Sequence, residues 1–265
     1  MTQAQKDNQQ VSDRLRLSSP TIYEIIATEG RKELRRPLQS LAWSALVAGI
    51  CMSFCLFCEG FIRLHTPDTK DYYLLENIGY IVGFMIVILG RFQLFTENTI
   101  TVILPLLENF SVYKLNRVIK LWGIVFGFNM IGTFLIALLT ISFSFFSADQ
   151  MAVFIEISHK AVDRGMIDIF LQAIPAGFLI AALVWMLPSA EGNQFWVIGI
   201  MVYVIAIGDF AHIIAGSFEV FLLFLDGSLS VGQGLGYLVM ACAGNIIGGT
   251  GLFALMTYAQ VREEM

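Results

Sequence analysis

The chain has 265 residues, of which 57% are hydrophobic and only 14% are charged, and its mean hydropathy is +0.72. This composition excludes a soluble globular fold, because most of the surface would be apolar. The formal net charge of −5 disfavours nucleic acid as a partner and leaves the lipid bilayer as the expected surroundings.

The first segment, residues 1–37, is polar and lacks the apolar core of a secretory signal peptide, so no cleavage is expected. Capping residues before Pro20 and apolar positions at Ile22 and Ile26 predict an amphipathic cytosolic helix that ends before Pro37. Two roles remain open for this helix. It lies on the membrane surface, or it covers the mouth of a pore.

Six apolar runs follow, each long enough to cross about 30 Å of hydrocarbon as a helix. They are predicted at 38–60, 72–107, 119–146, 167–187, 195–225 and 231–258. The second and fifth runs are too long and too interrupted to be simple helices. We therefore expect three parts: a cytoplasmic tail with its helix (1–37), an all-α membrane domain (38–258) and a cytoplasmic tail (259–265).

The basic residues predict the orientation, since Lys and Arg accumulate on the cytoplasmic side of a membrane protein. With the N-terminus inside, eleven of them are cytoplasmic: Lys6, Arg14, Arg16, Arg31, Lys32, Arg35, Arg36, Lys114, Arg117, Lys120 and Arg262. The outer loops hold only Arg63, Lys70, Lys160 and Arg164. Both termini are therefore expected in the cytoplasm, and the loop 147–166 outside.

The two halves of the chain share short sequences. Spans two and five both contain Gly-x-Phe, and spans three and six both contain Asn-x-x-Gly. The matched residues are Gly90 and Phe92 with Gly208 and Phe210, 118 residues apart, and Asn129 and Gly132 with Asn245 and Gly248, 116 residues apart. Three spans are thus repeated, and because the third and fourth run oppositely, the predicted repeat is inverted.

Interrupted spans at corresponding places indicate a transport site near the middle of the bilayer, where broken backbone is tolerated if it lines a cavity. His212 is the only histidine predicted inside a span. Its imidazole could meet a permeating anion and share a proton with a weak acid, or it could be a buried residue bonded to a carbonyl.

Arg91 and Asp209 occupy matching positions, each one residue after the glycine of its half. Because buried charges are usually paired, we expect them to form an ion pair that links the two breaks. The alternative is that Arg91 attracts anions.

Other side chains around the first break are candidates for the walls of a pore. Thr96 could donate its hydroxyl to an anion, or bond within its own loop. Leu94 and Phe95 could form a narrow apolar collar. Tyr80 and Phe84 lie one helical turn apart, and they predict either a second collar nearer the cytoplasm or ordinary helix packing.

The sequence contains no phosphate-binding glycine loop and no arrangement typical of a catalytic nucleophile. Cys51, Cys55, Cys58 and Cys242 all fall inside predicted spans, where neither disulfides nor a metal site are expected. We therefore predict no enzyme activity, no cofactor and no bound metal.

Taken together, Leu94-Phe95-Thr96, His212 and the run Gly244-Asn245-Ile246-Ile247-Gly248-Gly249 resemble the formate/nitrite transporter family, over residues 20 to 260. The run 29–37 and the sequence Gln-Leu-Phe-Thr-Glu-Asn at 93–98 look most like the YfdC-like branch of that family.

The resemblance implies a homopentamer in the bacterial inner membrane, whose aquaporin-like protomers each pass formate, nitrite, hydrosulfide or a related monovalent anion. His212 would then be the central histidine of the pore, and Lys160 the lysine that makes the vestibule positive. Leu94 and Phe95 would form the outer collar with Ile180, while Tyr80, Phe84 and Ile205 would form the inner one. Asn245 would be the asparagine of the sixth-span motif.

We therefore expect a channel for small monovalent anions, with possible proton coupling through His212. One alternative is a facilitator of neutral solutes or weak acids, as in aquaporins. Another is a non-conducting membrane sensor or assembly protein, whose pore would be plugged by the Arg91–Asp209 pair.

Overall fold

The computed structural model describes residues 16–67 and 72–264, and within these ranges the chain is helical and contains no strand. The α-helices are α1 (Ser19–Glu33), α2 (Leu38–His65), α3 (Tyr72–Glu76), α4 (Ile81–Leu89), α5 (Asn98–Thr101), α6 (Leu104–Glu108), α7 (Val112–Ser142), α8 (Ala148–Val162), α9 (Met166–Met186), α10 (Gln194–Ile207), α11 (Ile213–Asp226), α12 (Val231–Ile246) and α13 (Leu255–Glu264). A 3₁₀ turn (Leu187–Ser189) follows α9, and a π-helix (Ile247–Ala254) joins α12 to α13.

Five helical stretches in the described part of the chain are long and apolar enough to cross a membrane: Leu38–His65, Tyr72–Leu89, Val112–Ser142, Met166–Ser189 and Val231–Glu264. They match predicted spans one, two, three, four and six. The predicted fifth span consists of two shorter helices, α10 and α11, so the count of six spans stays a prediction. Breaks were expected in spans two and five, and the helices are interrupted there.

The segment 147–166 is not the loop that the sequence analysis expects, because most of it forms α8. Ser147 accepts a hydrogen bond from the Gln150 N–H, and the Gln150 side chain accepts one from the Ser147 N–H. This capping box is visible in the sequence as Ser-x-x-Gln, and it marks the start of the helix.

Two pairs of long helices cross at short distance, and the backbone contacts at the two crossings correspond. Where α2 crosses α7, a Cβ added to Gly49 would lie 2.2 Å from the carbonyl oxygen of Asn129. Where α9 crosses α12, a Cβ added to Gly177 would lie 2.2 Å from the carbonyl oxygen of Asn245. Each crossing therefore needs a glycine, because the backbones are in contact. The matching contacts support an internal repeat, while its inverted orientation stays a prediction.

The amphipathic helix α1 packs onto the short helices that follow the first break. The Tyr23 hydroxyl donates to the carbonyl oxygen of Leu104 at 2.9 Å, and Arg31 pairs with Glu108 at 2.9 Å. Burial raises the pKa of Tyr23 above its usual value, so the hydroxyl keeps its proton. These contacts favour the interpretation that α1 covers the mouth of a pore. The other predicted residues of the N-terminal tail, 1–15, lie outside the described residues.

The close crossings make a prediction about stability. Gly177→Ala or Gly49→Ala should lower the free energy of unfolding by about 1–3 kcal/mol or more, because backbone atoms cannot move aside for the added methyl group. Gly127→Ala and Gly199→Ala are matched controls, since nothing lies within 4 Å of a Cβ at either position. Thermal unfolding of the purified protein in detergent measures the difference. Equal melting temperatures for both pairs would contradict the packing.

Candidate functional site

The first break is a turn that reverses the chain at the end of α4. Arg91 has a φ of 54°, and its N–H donates to the Ile88 carbonyl at 3.1 Å. The Phe92 N–H reaches back to the Val87 carbonyl at 3.0 Å. These two bonds define a Schellman motif, in which the left-handed residue is usually glycine.

The turn at the end of α10 repeats both bonds. Asp209 has a φ of 52°, its N–H donates to Ala206 at 3.0 Å, and the Phe210 N–H donates to Ile205 at 3.0 Å. A residue with a side chain costs about 1–2 kcal/mol in this conformation. The chain therefore carries a strained, charged residue at the same place in each half.

Gly90 and Gly208 make room for the aromatic rings of Phe92 and Phe210, and neither glycine occupies the left-handed position of its turn. Gly90 and Gly208 have φ values of −73° and −81°, which any residue can adopt. A Cβ at Gly90 would lie 2.6 Å from the ring of Phe92, and a Cβ at Gly208 would lie 2.8 Å from the ring of Phe210. Each ring folds back over its glycine, which explains why Gly-x-Phe recurs.

Asn129 holds the backbone of the first break in place. Its Oδ1 accepts from the Phe95 N–H at 2.9 Å, and its Nδ2 donates to the carbonyls of Ala45 at 2.7 Å and Gln93 at 2.9 Å. The amide thus joins α7 to α2 and to both sides of Leu94.

Asn245 makes the same three contacts at the second break. Its Oδ1 accepts from the Ile213 N–H at 2.9 Å, and its Nδ2 donates to Ala173 at 2.8 Å and Ala211 at 2.9 Å. Asn245 is fully buried, and both of its N–H donors are used. The geometry therefore gives it a positioning role at the second break.

Thr96 and His212 meet at the centre of the protein, each just after its break. Thr96 Oγ1 lies 2.7 Å from His212 Nε2, and the exposed fractions of the two residues are 0% and 1%. The ring of Phe84 packs edge-on against the imidazole, with centroids 4.8 Å apart. Two predicted site residues from different halves are thus in direct contact.

The surroundings of His212 determine where its ring carries a proton. His212 caps the N-terminus of α11, and its Nδ1 accepts a hydrogen bond from the Ala215 N–H at 3.3 Å. Because Nδ1 is an acceptor, the neutral ring carries its proton on Nε2 and donates it to Thr96. Among the described residues, the Thr96 hydroxyl hydrogen then has no acceptor.

Cavities lie on both sides of this pair. One, of about 60 Å³, includes Tyr80, Lys160, Ile205 and His212 in its wall, and we call it the lysine-side cavity. The other, of about 120 Å³, has a wall that includes Glu29, Ile88, Arg91, Gln93, Glu97 and Val184, and we call it the arginine-side cavity. The buried Thr96–His212 pair therefore lies between two separate recesses.

Tyr80 and Ile205 were expected nearer the cytoplasm, on the side opposite to α8, and the structure contradicts this combination. Tyr80 and Ile205 line the lysine-side cavity, so they lie on the side of α8, which was expected outside. The chain enters span two on that side, because Arg63 at the end of α2 pairs with Glu156 of α8. Tyr80 must then lie nearer α8 than Leu94 does.

Leu94, Phe95 and Ile180 were expected to form the other collar together, and the structure separates Phe95 from the other two. Leu94 is fully buried and follows Gln93 of the arginine-side cavity, and Ile180 is buried one turn before Val184 of the same cavity. The ring of Phe95 packs against the rings of Trp122 and Phe126, with centroids at 5.6 and 5.0 Å. Phe95 therefore faces α7, and its assignment to the collar is wrong.

The predicted ion pair between Arg91 and Asp209 is wrong as well. Arg91 pairs with Glu29 of α1 at 2.9 Å, whereas Asp209 pairs with Lys160 at 3.5 Å and Arg164 at 3.3 Å. The two residues end helices that reach opposite cavities, so each meets the charges of its own side. The alternative of a pore plugged by an Arg91–Asp209 pair therefore has no support in the structure.

The sequence analysis missed several polar residues of the lysine-side cavity. Glu59, Glu76 and Glu219 line it and are more than 90% buried, and Arg164 contributes a second cation. A signal was available, because carboxylates within apolar spans are costly and usually functional. Asn129 was noticed only as part of the repeated sequence.

The separate partners of Arg91 and Asp209 predict how their substitutions combine. Arg91→Ala and Asp209→Ala should lower the free energy of unfolding additively, within about 0.5 kcal/mol, because the residues share no partner. Arg91→Ala and Glu29→Ala should deviate from additivity by up to about 1 kcal/mol, since they form one exposed pair. Thermal denaturation of both double-mutant cycles checks this. Strong coupling in the first cycle would contradict the structure.

Similar proteins identify the family. A model of the formate/nitrite transporter family matches residues 20–259. The inner membrane protein YfdC of Escherichia coli (strain K12) is 38% identical over 254 residues, which cover 96% of this chain and 82% of YfdC. The uncharacterized transporter YrhG of Bacillus subtilis (strain 168) is 25% identical over 252 residues, covering 89% of this chain and 91% of YrhG.

Solved structures share the fold. An FNT family ion channel superposes with a TM-score of 0.78 at 14% identity, covering 90% of this chain and 98% of that channel. A pentameric formate channel with formate bound superposes with a TM-score of 0.72 at 18% identity, covering 85% and 98%. The apolar helices and the inner-membrane relative make this chain a multi-pass inner membrane protein. It belongs to the formate/nitrite transporter family, whose members are channels and transporters and not enzymes.

Proposed function

We propose that this chain passes small monovalent weak-acid anions, such as formate, nitrite or hydrosulfide, between the two cavities and past the Thr96–His212 pair. The observation that carries the proposal is the hydrogen bond from the Ala215 N–H to His212 Nδ1, which assigns the ring proton to Nε2. His212 Nε2 donates to Thr96, so the free hydrogen of Thr96 can be given only to an acceptor. An anion is such an acceptor, whereas an ammonium ion has no lone pair to offer.

The walls beside the pair fit this proposal. Leu94 and Phe84 are fully buried next to Thr96 and His212, so a passing ion would lose its water there. A hydrogen bond to a charged group contributes about 1.5–3 kcal/mol, which offsets part of the cost of dehydration. Thr96, His212, Leu94, Phe84, Ile180, Tyr80 and Ile205 are therefore the proposed pore residues, with Lys160 at the mouth.

We propose a homopentamer as the assembly, with one pore in each protomer. The support is the fold shared with a channel described as pentameric. The exposed apolar side chains of α7 and α12, among them Ile131 and Val239, are available for lipid or for neighbouring subunits.

A facilitator of neutral weak acids is the second candidate, and one observation favours it. The wall of the lysine-side cavity holds four acidic residues, Glu59, Glu76, Asp209 and Glu219, against two basic ones, Lys160 and Arg164. This excess of negative charge does not favour the entry of a free anion. Dependence of the flux on membrane potential separates the two candidates, because only an anion carries charge.

Replacing the central hydroxyl tests the proposed function. Thr96→Val should lower formate or nitrite flux into liposomes by about tenfold or more, because the isosteric methyl group cannot donate. Thr96→Ser should keep most of the flux. His212→Phe should also abolish it while leaving the oligomer intact. Thr257→Val is the control, since that hydroxyl donates only to carbonyls of the preceding turn, those of Phe253 and Ala254. Unchanged flux in Thr96→Val and His212→Phe would refute the proposal.

We propose that both termini are cytoplasmic and that α8 lies outside, because basic residues favour that orientation. A cysteine at Asp149, which is exposed in the first turn of α8, should react with an impermeant thiol reagent in intact cells. A cysteine at Glu191, exposed on the opposite side, should react only after lysis. The native cysteines are first replaced by serine. The opposite pattern would reverse the orientation.

A further inference from the structure

The π-helix Ile247–Ala254 interrupts the helical stretch Val231–Glu264, and the function proposed above leaves it without a role. Its backbone hydrogen bonds join residues five apart, in place of four in an α-helix, so its turn holds an additional residue. Such helices are rare, and they occur frequently at functional sites. Comparison with the other half of the chain locates the additional residue.

Span six contains one residue more than span three. Span three reads Asn-x-x-Gly-Thr at 129–133, and span six reads Asn-x-x-Gly-Gly-Thr at 245–250. The additional glycine lies inside the π-helix. The π-helix therefore accommodates an insertion that moves the threonine of span six one position further along the chain.

Backbone contacts identify Gly249 as the inserted residue. A Cβ added to Gly132 would lie 2.5 Å from the carbonyl oxygen of Leu46, and one added to Gly248 would lie 2.0 Å from that of Ile174. Both carbonyls lie three residues before the close-contact glycine of their own helix, so the two contacts correspond. Gly132 thus matches Gly248, and Gly249 has no counterpart in span three.

The insertion brings Gly249 and Thr250 against α5. Thr250 Oγ1 donates to the carbonyl oxygen of Thr99. A Cβ added to Gly249 would lie 2.1 Å from Thr99 Oγ1, so a side chain there would displace that hydroxyl. Thr99 in turn donates its hydroxyl to the carbonyl oxygen of Thr96 at 2.7 Å. Two hydrogen bonds thus connect the π-helix to the residue that contacts His212.

Helix α5 needs support from its neighbours because it is only four residues long. A single helical turn is unstable by itself. Side chains of other elements bind two of its carbonyl oxygens. Trp122 of α7 donates its Nε1–H to Asn98 at 3.0 Å, and Thr250 binds Thr99. The peptide groups that follow Thr96 are therefore held by two different elements.

The corresponding threonine of span three supports no hydrogen-bond donor of the central pair. Thr133 Oγ1 lies 2.9 Å from the hydroxyl of Ser217, which donates to the carbonyl oxygen of Ile214 at 2.7 Å. Ile214 lies 118 residues after Thr96, the offset of the two breaks, and it has no hydroxyl. Thr133 is therefore a matched control for Thr250, because it is a buried threonine at the equivalent place.

We propose that Thr250 and Thr99 are positioning residues, which hold the backbone of Thr96 so that its hydroxyl keeps its contact with His212 and offers its free hydrogen to the anion. The inserted Gly249 sets the register that brings Thr250 to Thr99. The inference rests on the proposed function, since it assigns the residues that orient the donor of that function.

Flux measurements test whether the two threonines act through Thr96. Formate flux into liposomes should fall about threefold to tenfold in Thr250→Val and in Thr99→Val, because each loses a hydrogen bond that orients the donor. Thr250→Ser and Thr99→Ser keep a hydroxyl and should retain most of the flux. Thr133→Val should leave the flux nearly unchanged. Thr250→Val added to Thr96→Val should lower the flux no further than Thr96→Val alone.

The imidazole of His212 reports the same positioning without any transport. Solid-state NMR of protein with isotope-labelled histidine detects the Nε2–H proton, whose His212 resonance is identified by its absence in His212→Phe. A weaker bond to Thr96 moves this resonance upfield, so Thr250→Val and Thr99→Val should shift it. Thr133→Val should leave it in place.

The outcomes separate the two proposals. Wild-type flux in both Thr250→Val and Thr99→Val, or an unshifted resonance in both, would overturn the inference. Equal losses of flux in Thr250→Val and Thr133→Val would overturn it as well, because a general packing defect would explain both. If the wild type carries no formate, nitrite or hydrosulfide above the leak of protein-free liposomes, the proposed function fails, and the resonance alone decides the positioning. Should Thr99→Val not assemble, Thr250→Val decides.

Discussion

The structure depends on two buried amides that replace water as partners of broken backbone. Backbone N–H and C=O groups at membrane depth must be bonded, because lipid offers no partner. Asn129 satisfies two such groups at the first break, and Asn245 satisfies two at the second. The third bond of each amide goes to a neighbouring long helix, at Ala45 of α2 and Ala173 of α9. Only with these bonds can the chain leave the helical path twice. Because both breaks are held in this way, Thr96 and His212, which follow them, come into contact.

Charge fixes the outer ends of the same breaks. Arg91 and Asp209 hold left-handed positions that glycine would adopt with less strain, and each is held by an ion pair on its own side. Arg91 joins the first break to α1, while Asp209 joins the second to α8. The two cavities are therefore bordered by turns of the same backbone conformation, but the charged residues at the two turns differ. A transporter built this way can treat its two sides differently.

Features that depend on local pattern were predictable from the sequence. Most of the long helices and the breaks in spans two and five follow from the lengths of the apolar runs and from the polar residues within them. The same polar residues placed Thr96 and His212 beside the breaks, where they are in contact. Side-chain partners were not predictable. Arg91 and Asp209 match in sequence, but matching positions in two inverted halves lie at opposite ends of the protein, so symmetry argues against their contact.

Tyr80 was assigned to the wrong side of Leu94, because sequence similarity does not give the direction in which a span crosses the membrane. The order of the residues along the chain does give that direction. Phe95 was misassigned because the rotation of a residue in a break is set by its neighbours, here Trp122 and Phe126.

The fixed tautomer of His212 also bears on how the cell conserves energy. A file of water conducts protons only when every member of the chain can accept one hydrogen and release another. His212 cannot do so, because its Nδ1 is held by the Ala215 N–H and its Nε2–H points at Thr96. The central pair is therefore an insulating element in any water file that joins the two cavities. A pore with this central pair would then carry its solute without a current of bare protons that dissipates the electrochemical proton gradient.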